Sequence, residues 1–281
     1  MTNNSLLKLR ATNARKNLLK VVHHAGAGHI GGPLSAIDIL TTLYFQEMHI
    51  DPSNPKSPAR DRFILSKGHS AIGLYCVLAE KGFINHDELF TFDSIDSRLQ
   101  GHPDMNALPG IEMSTGSLGQ GISAAVGMAL GAKLKNEKFR VYCMIGDGES
   151  QEGQVWEAAF IGEKYKLDNL LVIIDYNKLQ QYGWPGTNNN RLAPNNQLEE
   201  KWNAFGWHVI RINGHSFDEI LSAFNEAKTV KNKPSIIIAD TVKGKGISFM
   251  EGNYLWHSRV PTNDELAAAI AELNNVGGAL Q

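Results

Sequence analysis

The second half of the chain alternates short apolar runs with helical segments, and this alternation constrains the fold more than any other feature. Three of the runs, VYCMIGD (141–147), NLLVIIDYN (169–177) and SIIIADTV (235–242), are apolar at consecutive positions, which is typical of strands buried on both faces. Segments such as EGQVWEAAFIGEKYKL (152–167) and SFDEILSAFNEAKTV (216–230) read as the helices between strands. The pattern predicts an α/β fold of three layers, with a mostly parallel sheet flanked by helices.

The first half is predicted to be mainly helical. Residues 5–25 place apolar side chains at steps of three and four, and PLSAIDILTTLYFQEM (33–48) fits a second helix with Pro33 in its first turn. RFILS (62–66) is a short apolar stretch, and GLYCVLAEKG (73–82) is helical again. No repeat, charge run or proline- and serine-rich linker divides the chain, so we expect one domain over residues 1–281.

Composition and charge exclude several classes of function. The formal net charge is −2, which provides no electrostatic reason to expect nucleic acid or an anionic membrane as a partner. Neither a signal peptide nor an apolar run long enough to span a bilayer is recognisable. Cys76 and Cys143 both lie in apolar runs, which predicts buried thiols in a reducing compartment. We therefore expect a cytoplasmic protein.

Gly26, Gly28 and Gly31 have the G-x-G-x-x-G spacing of dinucleotide-binding loops. Such a loop requires a strand before its first glycine and an acidic residue on a second strand about twenty residues later. Here a helix precedes the glycines, and no acidic residue follows in the required context. The glycines are therefore interpreted as a turn between two helices, with His29 inside it.

The strongest local signal for chemistry is Gly146-Asp147-Gly148, which ends one predicted strand, together with Asn177, which ends the next. Because the carboxyl ends of neighbouring parallel strands open onto one crevice, both side chains are expected in the same site. Carboxylate and amide oxygens suit Mg²⁺, and the glycines permit close approach of a phosphate. Alone, the tripeptide is more simply a tight turn; together with Asn177, it favours a metal–diphosphate site.

The tripeptide and the following asparagine resemble the motif of thiamine-diphosphate enzymes, and further blocks are similar to the transketolase family. They run in the same order along nearly the whole chain: GHIGGPLSAIDILTTLYF (28–45), RDRFILSKGH (60–69), GHP (101–103), PGIEMSTGSLGQGISAAVGMAL (109–130), GDGESQEGQVWEAA (146–159) and KGKGISFMEGNYLWH (243–257). The match corresponds to the N-terminal, diphosphate-binding part of a transketolase. The chain therefore resembles the N-terminal subunit of a split transketolase.

The resemblance implies a role for individual residues. It implies Mg²⁺, or Ca²⁺ or Mn²⁺ in its place, bound by the side chains of Asp147 and Asn177 and the carbonyl of Leu179. It implies catalytic or sugar-binding histidines at His29, His102 and His257, since imidazole can move protons near neutral pH. Thiamine diphosphate would be contacted by His69, Gly116, Leu118, Gly146, Asp147, Gly148, Glu152, Asn177, Leu179 and His257. Glu152 matches a glutamate buried at a subunit interface in the family.

The resemblance also implies a partner. In the family, the glutamate that activates the thiazolium and most arginines that bind the sugar phosphate belong to a pyrimidine-binding domain. We therefore expect a separate C-terminal subunit carrying that domain, in an α2β2 heterotetramer. The expected reaction transfers a two-carbon ketol unit from a ketose phosphate, or a related ketose, to an aldose acceptor, as in pentose phosphate metabolism.

Several positions depart from the family pattern or stay open. Ile30 and Ser117 replace common prolines, and Gln181-Tyr182 replaces an apolar residue and an aspartate, which bears on the cofactor contact and the choice of donor. Lys243 could attract phosphate or be solvated. The alternatives are half of another thiamine-diphosphate enzyme (a 2-oxoacid dehydrogenase α subunit or deoxyxylulose-phosphate synthase) and a non-catalytic protein that binds a diphosphate ligand.

Overall fold

A computed structural model describes residues 3–181 and 197–278. Its helices are α1 (Asn3–Ala25), α2 (Gly31–Thr42), α3 (Ala71–Lys81), α4 (Gln120–Leu134), α5 (Gly153–Lys164), α6 (Leu198–Ala204), α7 (Phe217–Thr229) and α8 (Asn263–Gly278). Its strands are β1 (Arg62–Leu65), β2 (Val141–Gly146), β3 (Leu170–Tyr176), β4 (His208–Asn213) and β5 (Ser235–Asp240). Short 3-10 segments cover Gly68–Ser70, His86–Thr91, Glu149–Gln151 and Tyr254–His257.

The described strands form one sheet in the order β1-β2-β3-β5-β4, and every pairing is parallel. This confirms the predicted fold class. Gly146 at the end of β2 pairs with Asp175 in β3, and Tyr176 pairs with Asp240 in β5. The central strands therefore end at the same edge of the sheet, which we call the carboxyl edge.

The sheet separates two apolar layers, because successive side chains of a strand point to opposite faces. In β2, Tyr142 and Met144 pack with the first layer, and Cys143 and Ile145 pack with the second. Helices α1, α2, α3, α7 and α8 contribute to the first layer, and α4, α5 and α6 to the second. Burial on both faces explains why these strands are apolar at consecutive positions.

Two elements differ from the sequence-based expectation. The second predicted helix is not continuous to residue 48: α2 ends at Thr42, and Leu43–Glu47 form a π-helical turn. Helix α6 was not predicted, because its seven residues are too few to display a helical period. It is stabilised by burial of Trp202 against Trp156 and Trp207, at ring-centroid distances of 5.0 and 4.9 Å.

The glycine-rich turn has the predicted form. Helix α1 ends before Gly26, which has a φ of +65°, and Gly28 has a φ of +124°. Both angles favour glycine. The nearby Ile30 donates its N–H to the carbonyl of His257 at 3.1 Å, so the turn is joined to the Tyr254–His257 segment.

Two sequence-based expectations concern burial and the membrane. Cys76 and Cys143 are buried free thiols, as predicted, and burial raises the pKa of both. Over residues 3–181 and 197–278, no helix combines the length and apolar character needed to cross a membrane.

Candidate active site

A cavity of about 740 Å³ lies at the carboxyl edge of the sheet. It is built from the turn before α2, the loops after β1, β2 and β3, the loop before α4, and the segments after β5. Its lining residues are His29, Gly32, Lys67, His69, His102, Gly116, Leu118, Gly146, Asp147, Gly148, Glu149, Gln151, Glu152, Asn177, Leu179, Gln180, Gln181, Lys243 and His257. Every site residue named from the sequence lines this cavity.

Four histidines from distant parts of the chain meet on one side of the cavity. The ring centroid of His29 lies 5.0 Å from those of His69 and His257, and 6.3 Å from that of His102. His69 and His257 lie 5.6 Å apart. The backbone hydrogen bond between Ile30 and His257 contributes to this arrangement, because it holds the first and last of these segments together.

The cavity keeps three of these imidazoles neutral near neutral pH. Burial, followed by the charges of His102 and Lys243, lowers the pKa of His29 to about 4. Burial, followed by Lys243, lowers the pKa of His257 to about 3, and burial followed by Lys67 lowers that of His69 to about 2. A neutral imidazole presents one donor and one acceptor nitrogen, so each can accept a proton or donate a hydrogen bond.

Two buried lysines accompany the histidines. Lys243 is 2% exposed, so the alternative that it is solvated is wrong. Its Nζ lies 2.8 Å from Nδ1 of His257 and donates to the carbonyl of Leu179 at 3.3 Å. Burial, followed by the charge of Lys67, lowers the pKa of Lys243 to about 8. Lys67 forms a buried ion pair with Asp175.

Asp147 and Asn177 directly follow the neighbouring strands β2 and β3, so both reach the cavity from the carboxyl edge. The carboxylate of Asp147 accepts the N–H of Gly148 at 2.8 Å and that of Lys178 at 2.6 Å. Asn177 uses Oδ1 to accept the N–H of Leu179 at 3.1 Å. Burial, followed by the charge of Asp175, raises the pKa of Asp147 to about 6 despite the two backbone hydrogen bonds.

These groups fit a hard cation that shares its ligands with a phosphate. The side chains of Asp147 and Asn177 provide oxygens, and Leu179 lines the same cavity with its carbonyl held by Lys243. A cation beside Asp147 would offset the cost of burying its charge. Among the described residues, no three His, Cys, Asp or Glu side chains cluster as a self-sufficient metal site. A cation here would therefore need amide, carbonyl and phosphate oxygens, as Mg²⁺ commonly uses.

The loop before α4 approaches the cavity very closely. A Cβ at Gly116 would lie 3.1 Å from the His102 ring, and a Cβ at Gly68 would lie 2.6 Å from the backbone of Thr115. The Thr115 hydroxyl donates to the carbonyl of Leu65 at 2.7 Å, which ties this loop to the end of β1. Glycine is therefore needed for packing at these positions, and Gly116 and Leu118 of this loop line the cavity.

Glu152 lines the cavity but is exposed in this chain. A Cβ at Gly119 would come within 2.7 Å of Glu152 Cβ, so the loop before α4 and the start of α5 are in contact here. Burial of Glu152 at a subunit interface therefore stays a prediction, since it requires the surface of a second chain.

The sequence analysis missed Lys67, Glu149, Gln151 and Gln180 as cavity residues. Glu149 is 2% exposed, and burial raises its pKa. Gln180 has a buried Nε2 for which no hydrogen-bond partner is found among the described residues. An unpaired buried donor beside a cavity is expected where a ligand oxygen completes the hydrogen bond. Two of these residues could have been found because they are next to motif residues in the sequence: Lys67 precedes Gly68-His69, and Glu149 follows the Gly-Asp-Gly turn.

Gln181 also lines the cavity, whereas the adjoining Tyr182 lies outside the described residues. Ile30 is fully buried, and Ser117 is exposed on the loop before α4. Of the three departures from the family pattern that can be located, Gln181 lines the cavity, whereas Ile30 and Ser117 only adjoin the lining residues His29, Gly116 and Leu118 in sequence.

The parallel sheet has an aspartate and an asparagine at the ends of neighbouring strands, as the motif of thiamine-diphosphate enzymes predicts, and comparison with known proteins shows the family. Residues 8–274 match the family described as "Transketolase, thiamine diphosphate binding domain". The chain belongs to the transketolase family and corresponds to its N-terminal, diphosphate-binding subunit, as the sequence motifs predicted.

Relatives of the same length are named as transketolase subunits. The chain is 46% identical to "6-deoxy-6-sulfo-D-fructose transketolase subunit SqwG" of Clostridium sp. (strain MSTE9), over 96% of this chain and 97% of that protein. It is 42% identical to an apulose-4-phosphate transketolase subunit of Phocaeicola vulgatus, over 95% of this chain and 94% of that protein. These similarities favour the transketolase interpretation over the other classes of thiamine-diphosphate enzyme and over a non-catalytic protein.

Longer transketolases contain a region similar to this chain as one part. The human transketolase is 41% identical over 92% of this chain and 40% of its own length. Among solved structures, the transketolase of Campylobacter jejuni superposes with a TM-score of 0.88 at 31% identity, covering 100% of this chain and 46% of that chain. The chain thus spans less than half of the solved enzyme, and its own fold is that of the corresponding part.

Proposed function

We propose that the cavity binds thiamine diphosphate through Mg²⁺, or through Ca²⁺ or Mn²⁺ in its place, with Asp147, Asn177 and the carbonyl of Leu179 as the protein ligands. The observation that carries the proposal is the convergence of these oxygens with four histidines in one cavity. The raised pKa of Asp147 supports a cation beside its carboxylate, because a positive charge would favour the ionised form.

The remaining cofactor contacts follow from where the lining residues lie. Gly146, Gly148, Gly116 and Leu118 bring backbone close to the diphosphate, and His69 lies among the other imidazoles. Glu152 sits where the cavity meets the outside of this chain. We assign Glu152 to the boundary with a partner subunit. The described residues surround a single sheet, which supports one diphosphate-binding domain over residues 1–281.

His29, His102 and His257 are proposed to act on the sugar. Thiamine diphosphate, when bound, supplies the nucleophilic carbon and the stabilisation of negative charge that breaking a carbon–carbon bond requires. Neutral His29 can hydrogen-bond a donor hydroxyl through one nitrogen and accept or return a proton there. Nζ of Lys243 lies 2.8 Å from Nδ1 of His257, so Nε2 is the ring nitrogen that would be available to a ligand.

A separate C-terminal subunit with the pyrimidine-binding domain is proposed to complete each site, in an α2β2 assembly. The α4–α5 side of the chain supports this partner. A Cβ at Gly127 or at Gly153 would meet no atom within 4 Å, and Phe160 and Leu134 are 56% and 75% exposed. These positions lie on α4 and α5, and α5 begins at Gly153, next to the cavity residue Glu152. The two relatives of this length are also named as subunits.

The proposed substrates are a ketose donor with an anionic end group and an aldose acceptor. The relatives are named for a sulfonated ketose and for a phosphorylated sugar, so the shared chemistry is a two-carbon ketol transfer on an anionic sugar. Pentose phosphates fall within this class. The buried free thiols of Cys76 and Cys143 are consistent with the reducing cytoplasm, which we propose as the compartment.

Calorimetry and a substrate panel test the proposal. Mg²⁺ and thiamine diphosphate are titrated into the chain alone and into the chain co-expressed with its partner subunit. We expect tight, Mg²⁺-dependent binding with the partner, and ketol transfer only by the pair. Absence of cofactor binding in both states would refute the site assignment, and full transfer by the chain alone would refute the partner requirement.

A further inference from the structure

Glu149 is a buried acid at the wall of the cavity, and both of its carboxylate oxygens accept hydrogen bonds. Oε1 accepts the hydroxyl of Ser66 at 2.5 Å and the backbone N–H of Gly119 at 2.8 Å. Oε2 accepts the backbone N–H of Gly146 at 3.0 Å. The three donors belong to three different segments: Ser66 follows β1, Gly119 precedes α4, and Gly146 ends β2.

Each of these segments carries cavity residues. Gly119 directly follows the loop of residues 116–118, Gly146 begins the Gly-Asp-Gly turn, and Ser66 precedes Lys67. The Ser66 hydroxyl also accepts the N–H of Gly121 at 3.1 Å, so it links the carboxylate to the first turn of α4. One side chain therefore connects the two backbone segments proposed to approach the diphosphate.

An acidic residue at position 149 requires an explanation, because the negative charge of Glu149 would oppose the binding of a diphosphate nearby. The reason lies in the number of acceptors. Two backbone N–H groups approach opposite oxygens, and only a carboxylate accepts on both. A glutamine of the same shape would turn its NH₂ group toward one of the two N–H groups in either orientation, leaving a buried donor unpaired.

The surrounding backbone is tightly fitted around this carboxylate. Gly119 has a φ of +82°, which favours glycine, and a Cβ at Gly121 would lie 2.6 Å from Ser66 Cβ. The segments that contain Ser66, Gly119 and Gly146 consequently have little room to shift one at a time. The hydrogen bonds of Glu149 join them, so a change at Glu149 should alter their relative position.

From this geometry we propose that Glu149 is a positioning residue for the diphosphate: it holds the loop of residues 116–118 and the Gly-Asp-Gly turn at the separation that the ligand bridges. The inference rests on the proposed function of the cavity. It adds that a buried anion assists the binding of another anion by arranging backbone donors, and that this effect exceeds the repulsion between the two.

The substitution Glu149→Gln distinguishes charge repulsion from positioning, because loss of the repulsion would raise the affinity for the diphosphate and loss of the positioning would lower it. If Glu149 acted through its charge alone, the neutral variant would bind the diphosphate more tightly. Because Glu149 is a positioning residue, the variant should bind about tenfold more weakly, which is about 1.4 kcal/mol. The probes are magnesium thiamine diphosphate and, separately, magnesium pyrophosphate, titrated by calorimetry into the full chain alone and with its partner.

Glu47→Gln is the matched control. Glu47 has a side chain that is only 3% exposed and accepts hydrogen bonds from Tyr142 Oη and Lys228 Nζ, both at 2.8 Å, away from the cavity. Its substitution also neutralises a buried acid and should lower the melting temperature while leaving both dissociation constants unchanged. Ser66→Ala removes one donor of the cluster and should weaken binding by less than Glu149→Gln.

The outcomes separate this inference from the proposed function. Weaker binding in Glu149→Gln but not in Glu47→Gln supports the positioning role. Unchanged or tighter binding in a folded Glu149→Gln chain overturns it, while the proposed function stands. If Glu149→Gln does not fold, an unchanged dissociation constant in Ser66→Ala overturns it instead. No Mg²⁺-dependent binding by the wild-type chain, alone or with its partner, refutes the proposed function itself.

Discussion

Buried charged side chains have different surroundings at the two edges of the sheet. At the amino edge, where the strands begin, buried acids are paired within the chain. Glu47 accepts from Tyr142 and Lys228, and Asp61 accepts the backbone N–H of Arg140 at 2.7 Å. At the carboxyl edge, polar groups of similar burial line a cavity of about 740 Å³. The first edge is therefore complete in itself, whereas the second is shaped for a ligand.

The same contrast exists between neighbouring strands at the carboxyl edge. Asp175, fully buried in β3, receives the Ser35 hydroxyl at 2.6 Å and pairs with Lys67, and these groups hold its pKa below the usual range despite burial. Asp147, after β2, has a pKa raised to about 6. These two buried aspartates thus have opposite pKa shifts, because Lys67 pairs directly with Asp175, whereas burial and the negative charge of Asp175 dominate at Asp147. This difference distinguishes an aspartate that is paired within the fold from an aspartate that is proposed to bind a cation.

The largest expected effect is on stability, at Asp175. The substitution Asp175→Asn leaves Lys67 buried without its carboxylate, which should lower the free energy of unfolding by about 3–5 kcal/mol. Urea unfolding of the full chain without cofactor measures it. Asp147→Asn is the matched control and should cost much less. Equal losses in the two variants would contradict the distinction between the paired aspartate and the cavity aspartate.

The next effect is on catalysis, at His29. In complex with the partner subunit, His29→Ala should reduce ketol transfer by about 100-fold or more, because a positioned acid–base group is lost. The dissociation constant for thiamine diphosphate should change by less than about threefold, since His29 is assigned to the sugar. His208, which contacts Glu226 at the surface, is a suitable control position. A large loss of cofactor binding in His29→Ala would show that the assignment is wrong.

Cofactor affinity should depend on Asp147. For Asp147→Asn, we expect the dissociation constant of thiamine diphosphate in the presence of Mg²⁺ to rise at least about tenfold, because an anionic metal ligand is replaced by a neutral one. The same calorimetry is repeated with a chelator present. Removal of the metal should lower the affinity of the wild-type chain for thiamine diphosphate toward that of Asp147→Asn. If the chelator weakens wild type and variant by the same factor, Asp147 is not a ligand.

The smallest effect is a change in how stability depends on pH. The pKa of His29 is lowered from 6.5 to about 4 in the folded chain, so the unfolded chain binds more protons between these values. Stability should therefore fall as the pH drops from about 6.5 to about 4. In His29→Ala, the urea midpoint should decline less steeply over this window than in wild type. His24→Ala, at an exposed position, serves as the reference, and identical slopes in His29→Ala and wild type would contradict the pKa shift.

The sequence was sufficient for the sheet and for most of the site. The apolar runs identified β2, β3 and β5, and their parallel pairing followed from the intervening helices. Glycine and polar residues at predicted strand ends identified Asp147 and Asn177. The family motifs identified the four histidines, which lie far apart along the chain and meet in the cavity. The positions of these residues around one cavity could be predicted because strand ends and motifs are local features, whereas their roles stay predictions.

Other residues could not be assigned from the sequence. Lys67 and Glu149 occupy polar stretches and could equally have been solvated, and Lys243 was left open for the same reason. Their burial depends on which loops pack together: Lys67 is buried against Asp175, and Glu149 against Ser66 and Gly119. Helix α6 was missed because its seven residues are too few to display a helical period, and the burial of Leu198 and Trp202 depends on packing against other segments. Contacts between segments distant in sequence decide all of these cases.

The sequence by itself determined the class of fold, the edge of the sheet at which the candidate site lies and the family of the chain. The reason is that apolar periodicity and the order of motifs can be read directly from the amino-acid sequence. Only the tertiary structure decided which charged side chains are paired within the chain and which line the cavity. A sequence does not show which ionisable side chains are buried or paired, because their desolvation and their partners depend on how the loops pack together. Glu149 is the clearest case: its function is inferred from three donors that the sequence alone does not bring together.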